Sequence, residues 1–152
     1  MLRVLCTYRL RAIVWLFIAM LMAACSTTKF VPEGKYLLNK AYVKCADDKS
    51  ISTSQMSNYL RQKQNTEIFG FWKLQLHIYN TAPADTTTKA NKRLAINAHK
   101  MGEAPVIYDE QLTKVSIRQL EQQMNNMGYF HAKVDTQKVY KDKKINLTYL
   151  IT

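Results

Sequence analysis

Three cysteines, three histidines and eleven carboxylates are the side chains with which this 152-residue chain could do chemistry. Cys6, Cys25 and Cys45 match no zinc spacing, and His77, His99 and His131 stand one by one. An odd number of cysteines also argues against a disulfide-built scaffold. Asp47-Asp48 and Asp109-Glu110 are adjacent pairs, a pattern that suits helix caps and turns. No nucleophile stands beside a base and there is no glycine-rich phosphate loop, so the expectation is no enzyme, no metal and no cofactor.

Cys25 is the exception, because of what precedes it. A basic stretch with Arg3, Arg9 and Arg11 leads into 13 residues, 12–24, without a charged or polar side chain. A bilayer-spanning helix needs about 20 apolar residues and a secretory apolar region about 7 to 15, so the length fits an export signal. The run ends Leu21-Met22-Ala23-Ala24-Cys25, which resembles a bacterial lipobox. Small side chains at Ala23 and Ala24 let the backbone lie extended in a signal peptidase, and the Cys25 thiol is the nucleophile that takes the lipid. The competing reading is an ordinary signal peptide in which Cys25 is incidental. Three acyl chains on one cysteine would make a permanent anchor. Ser26 after the cysteine resembles the outer-membrane-directed class of lipoproteins, so the expected location is the periplasmic face of the outer membrane.

Cleavage before Cys25 removes three arginines and takes the formal charge from +11 to +8. Such a charge suits nucleic acid or an anionic surface, and export excludes nucleic acid. Weak attraction to anionic lipid headgroups is the functional reading that remains, beside the simpler one of solvated basic faces.

The mature chain has the material for a core, with two Trp, nine Tyr and five Phe and only four Gly and three Pro. Residues 26–34, polar with Pro32 and Gly34, read as a tether. Leu37, Asn39, Ala41, Val43 and Cys45 alternate with Lys40, Tyr42 and Lys44, the pattern of a half-buried strand. Ser52 and Gln55, with Ile51 against Met56, have the spacing of a capping box and staple, and Ser116 and Gln119 with Val115 against Leu120 repeat it. The second helix carries the stripe Ile117, Leu120, Met124, Met127 and ends at Gly128. Asp109 can cap a short turn through Thr113. Phe130, Ala132 and Val134, then Ile145, Leu147, Tyr149 and Ile151, make an antiparallel hairpin around a turn at 141–144. His131 then lies on the polar face beside Lys133. Residues 72–78 suit strand or helix equally; 81–91 read as a loop and 102–105 as a break. The expected core is Leu37, Val43, Met56, Leu60, Leu120, Met124, Phe130, Val134, Ile145 and Tyr149.

This order is α+β, βααββ, with two helices packed on a three-stranded sheet and an insertion between the helices at about 66–108. It resembles the POTRA (polypeptide-transport-associated) domain, whose usual ending is matched by Leu120, Gly128-Tyr129-Phe130, Ala132 and Val134. The start Cys25-Ser26-Thr27-Thr28-Lys29-Phe30-Val31-Pro32-Glu33-Gly34 with Tyr36-Leu37-Leu38, the stretch Gln62-Lys63-Gln64-Asn65 with Gly70 and Ile78-Tyr79-Asn80, and Gly102-Glu103-Ala104-Pro105-Val106-Ile107-Tyr108-Asp109 resemble the N-terminal region of the TamL lipoproteins. These are the lipoprotein branch, in Bacteroidetes, of the BamA/TamA outer-membrane assembly family. The resemblance implies a signal peptide over 1–24, a lipidated tether over 25–34 and a POTRA-like domain over 35–152. That family continues into a membrane β-barrel, so the resemblance implies either that the chain is a fragment or truncated product of a longer barrel protein or that it is a stand-alone periplasmic module.

The partners implied are outer-membrane protein clients or assembly-machinery proteins, together with the membrane through the lipid anchor. The physical route would be addition of an extended segment to a sheet edge, with Lys133, Lys138, Lys141, Lys143 and Lys144 as blockers of that edge in the free protein. The alternative function is a lipoprotein with an unrelated adhesion or inhibitory role.

Overall fold

A computed structural model of the chain describes residues 27–46, 51–70 and 72–152, together with Arg11 and Trp15. Cys25, the remainder of 1–26, the turn at 47–50 and Phe71 lie outside the described residues. The elements are β1 (Leu37–Cys45), α1 (Thr53–Met56) running into a 3-10 turn (Ser57–Tyr59), α2 (Leu74–Asn80), α3 (Lys89–Met101), α4 (Glu110–Asn126), β2 (Val134–Lys141) and β3 (Lys144–Ile151). This is an α+β fold on a three-stranded sheet of order β1-β3-β2, β3 central, parallel to β1 and antiparallel to β2.

β3 follows its alternation strictly: Ile145, Leu147, Tyr149 and Ile151 are buried and the residues between them half-buried. Across from them stand Leu38, Ala41, Val43 and Cys45 of β1. The register shifts between Leu38 and Lys40, so Asn39 is an extra residue and the side-chain parity reverses there. Leu37, expected in line with Ala41 and Val43, therefore leaves the main core. It is buried instead with Val31 and Leu76, against Ile107, and Leu38 takes its place opposite Ile145. The main core is closed by Ile51, Met56 and Leu60 from the α1 region and by Leu120 and Met124 from α4.

α4 starts seven residues, about two turns, earlier than the Ser116 box predicts. Asp109 is its N-cap, with Oδ1 accepting from the amides of Gln111 at 2.7 Å and Leu112 at 3.4 Å, and the expected short turn and second helix are one helix of 17 residues. Ser116 is interior and fully buried; its Oγ donates to the Leu112 carbonyl and accepts from the Arg61 amide at 2.9 Å, fastening the segment after α1 to the helix. Ser52 occupies the N-cap position of α1 but makes no side-chain cap bond, its hydroxyl meeting that of Ser54 instead. Ile51 and Met56 are nevertheless both buried in the main core.

The end of α4 follows the sequence expectation closely. Gly128, at φ +95°, sends its amide to Asn125, and Tyr129 sends its own to Met124, the paired bonds of a Schellman motif. Met127 of the expected stripe lies beyond the helix, 43% exposed. β2 begins only at Val134, so Phe130, expected in strand and core, is in a turn and 75% exposed. His131 is exposed in the same turn.

The stretch of undecided type is helix α2, and α3 begins inside what reads as a loop, with the Thr88 hydroxyl capping the Asn91 amide. α2 and α3 form a hairpin within the insertion, tied by the Glu103 amide donating to the Gln75 carbonyl at 3.0 Å. A Cβ on Gly102 would lie 2.5 Å from the Tyr79 backbone nitrogen, so only glycine allows this approach. Residues 27–31, within the polar segment read as a tether, are packed against this hairpin. Lys29 Nζ donates to the Ala82 carbonyl at 2.6 Å and the Asn80 carbonyl at 3.3 Å, Phe30 meets Tyr79 and His99 edge to face, and Val31 is buried.

Candidate binding edge

A three-stranded sheet has two edges, and here they are treated differently. Along β1, the Leu38 amide donates to the Val106 carbonyl, the Tyr108 amide to the Tyr36 carbonyl, and the Ala41 amide to Gln64 Oε1. The segments supplying these partners are held in turn by amide side chains. Asn65 bonds the Ala104 carbonyl and the Val106 amide, while Gln62 bonds the Ile107 carbonyl and the Asp109 amide. Lys73, 6% exposed, donates to the Asn39 carbonyl and to Asn39 Oδ1, and lies 3.6 Å from Glu67 Oε1. Burial lowers its pKa, and the Glu67 carboxylate opposes that shift. The β1 edge is thus covered from Tyr36 through Ala41 by the chain's own insertion and the segment 62–65 just before it.

β2 is different. Lys133 and Thr152 exchange both backbone bonds, at 2.8 and 3.0 Å, which sets the alternation of the antiparallel ladder. With Asp135 opposite Leu150 and Gln137 opposite Thr148, the amides of Val134, Thr136, Lys138 and Tyr140 point away from β3. Glu121 Oε1 accepts from the Val134 amide at 3.3 Å. The other three find no backbone partner among the described residues, so this edge is open over Thr136 to Tyr140.

The side chains beside that edge are organised. Lys138 reaches back to α4, its Nζ 2.6 Å from Glu110 Oε2, and the Tyr108 hydroxyl donates to the same oxygen at 2.5 Å. The Glu110 carboxylate is held below its ordinary pKa chiefly by Lys138 and then by Tyr108. Lys138 is pushed up, first by its bond to Glu110 and then by Tyr108, while burial raises the Tyr108 phenol. Tyr140 meets Tyr36 at 4.9 Å between ring centroids. Lys138 therefore turns its charge onto α4 instead of guarding the edge, leaving Lys133, Lys141, Lys143 and Lys144 of the expected blockers. Such an edge can accept an extended segment as a fourth strand, with main-chain bonds supplying affinity for many sequences.

A second feature, without a signal in the sequence, is an apolar groove of about 350 Å³ at the far end of the core, lined by Cys45, Ile51, Met124, Tyr129, Phe130 and Ile151. One wall comes from the turn after Gly128, through Tyr129 and Phe130, and another from the strand end at Ile151. The candidate acid pairs have structural roles where they are described: Asp109 caps α4 and Glu110 pairs with Lys138. Among the described residues, no three His, Cys, Asp or Glu side chains gather as a metal site, and no helix is long and apolar enough to cross a membrane. Cys25, the predicted lipid site, lies outside the described residues.

A small α+β module with one sheet edge covered over Tyr36 to Ala41 and the other open over Thr136 to Tyr140 has the form of a binder of extended polypeptide. The family model described as "POTRA: Surface antigen variable number repeat" matches residues 46–152, and the chain belongs to the POTRA family. The match covers α1 to β3, and β1, which completes the sheet, lies just before it. Comparison with curated proteins and with solved structures returned no match. POTRA domains are polypeptide-binding modules of outer-membrane assembly and point to the periplasmic side of that membrane.

Proposed function

We propose that this chain is a TamL-type, lipid-anchored POTRA module at the periplasmic face of the outer membrane, the N-terminal part of a BamA/TamA-type assembly protein. It docks outer-membrane clients or assembly partners by adding an extended segment to β2. The observation that carries the reading is the open run of outward amides at Thr136, Lys138 and Tyr140, in a sheet whose β1 edge is covered over Tyr36 to Ala41. Anchoring at Cys25 is supported by the 13 apolar residues before it and by Ala23 and Ala24.

The test is binding of a fluorescent peptide with the alternating pattern of a barrel strand. Thr136→Pro removes an outward amide without breaking a bond to β3, so it should weaken binding at least about tenfold while leaving the denaturation midpoint near wild type. Raising salt from about 0.05 to about 0.5 M should matter little, because the bonds at the edge are short-range. Binding that vanishes with salt yet survives the proline would rule strand addition out. Metabolic palmitate labelling tests the anchor separately: the wild type should label and Cys25→Ser should not.

A further inference from the structure

α3 contributes little to either core. Of its 13 residues only Ala95 is buried, and Leu94, Ile96 and Met101 are 60%, 55% and 70% exposed. Around them stand Lys89, Lys92, Arg93 and Lys100, and the helix contains no Asp or Glu. The ion pairs among the described residues lie elsewhere, at Lys73–Glu67 and Lys138–Glu110. The flanking carboxylates are engaged with backbone: Asp85 accepts from the Thr87 amide and Glu103 from the Thr66 amide, each at 2.9 Å. One outward side of α3 thus carries Leu94 and Met101, two turns apart, with Arg93 and Lys100 beside them and no acidic group on the helix to balance the charge.

Its position gives that face a direction. His99 of α3 stacks on Tyr79 of α2, with ring centroids 4.3 Å apart, and Phe30 packs edge-on against both rings. The Thr27 carbonyl accepts from Asn80 Nδ2 at 3.3 Å. Cys25 is two residues before Thr27, a reach of about 7 Å of extended chain. An acyl group there would enter a bilayer beside the α2–α3 hairpin.

We infer that the exposed face of α3 lies on an anionic phospholipid surface, as a second attachment beside the acylated cysteine. Leu94 and Met101, two turns apart on one side of the helix, enter the boundary between headgroups and acyl chains, and Arg93 and Lys100 beside them extend their guanidinium and ammonium groups to lipid phosphates. One lipid anchor alone lets the module swivel; a second contact through α3 sets the direction in which the β2 edge faces. The inference rests on the anchoring reading for this geometry.

Amide hydrogen exchange of the full chain on vesicles tests it directly. On 3:1 phosphatidylethanolamine:phosphatidylglycerol, peptides covering 89–101 should exchange about fivefold or more slowly than on pure phosphatidylcholine, since docking must be released before the helix can open. The difference should vanish in Arg93→Glu/Lys100→Glu, with α4 peptides unchanged as the control for folding; Leu94→Ser/Met101→Ser should reduce it as a second variant. Equal exchange of 89–101 on both vesicle types overturns the inference. So does slowing by soluble poly-glutamate with none by the anionic vesicles, which would assign the face to an acidic protein. Palmitate labelling separates the two readings: an unlabelled Cys25 with α3 still protected removes the anchor alone, and a labelled Cys25 with unprotected α3 removes the docking alone.

Discussion

Lys138 Nζ lies 2.6 Å from Glu110 Oε2, so the middle of the open strand β2 is tied to the first residue of α4. The edge that can receive a partner is therefore braced from the helical side, although its outward amides have no strand beside them.

That pair should make a small, pH-dependent contribution to stability. The folded pKa of Glu110 is below the ordinary carboxylate value of 4.5, so its stabilisation is present above that value and lost as pH falls through the lower folded pKa. Lys138 is shifted upward from 10.5, so its share is complete below that value and is lost only as pH rises through the higher folded pKa. The Glu110 side chain is 47% exposed, and solvent screening limits the effect of Glu110→Gln to about 0.2–1 kcal/mol at neutral pH. Urea midpoints should differ between wild type and variant at pH 7 and converge near pH 2; an equal gap at both would show that charge is not the cause.

Leu120→Ala should cost about 2–5 kcal/mol, because Leu120 is fully buried between α4 and the sheet. Phe130→Ala, at a residue 75% exposed, should change the same midpoint by less than about 0.5 kcal/mol. Chemical denaturation of the two side by side checks the boundary of the core, and a large loss at Phe130 would return that residue to it.

Two glycines should fail for different reasons. Gly128→Ala meets no atom within 4 Å, so its cost is the left-handed backbone at φ +95°, about 1–2 kcal/mol. Gly102→Ala drives a Cβ to 2.5 Å from the Tyr79 nitrogen and must push α2 and α3 apart, costing about 1–3 kcal/mol. Hydrogen exchange should locate the first effect at the end of α4 and the second in the α2–α3 hairpin.

Lys73→Met should destabilise by about 3–5 kcal/mol, since it leaves the Glu67 carboxylate, 13% exposed, without its cation and the Asn39 carbonyl without its donor. Adding Glu67→Gln should recover part of the loss. Thermal denaturation of the single and double variants measures the recovery, and strict additivity would show that the two side chains do not interact.

The sequence alone determined the elements that depend on local chemistry. Period-two alternation marks β3 because each of its residues has a fixed face, and Gly128 ends α4 because the left-handed position there favours a residue without a side chain. The α+β order and the POTRA likeness follow from such signals. Other features needed the tertiary structure. Ser116-x-x-Gln119 has the spacing of a helix start, yet the Asp109 cap starts α4 earlier and burial makes Ser116 an interior link to Arg61. The bulge at Asn39, which exchanges Leu37 for Leu38 in the main core, is a property of pairing with β3 and leaves no mark on β1 by itself. Which edge stays open is likewise non-local: it is settled by where Gln62, Gln64, Asn65 and Lys73 reach when the insertion folds back, over distances of 23 to 47 residues in the chain. Sequence periodicity reports the face a residue turns to its own strand or helix, and only packing reports what comes to lie beside it.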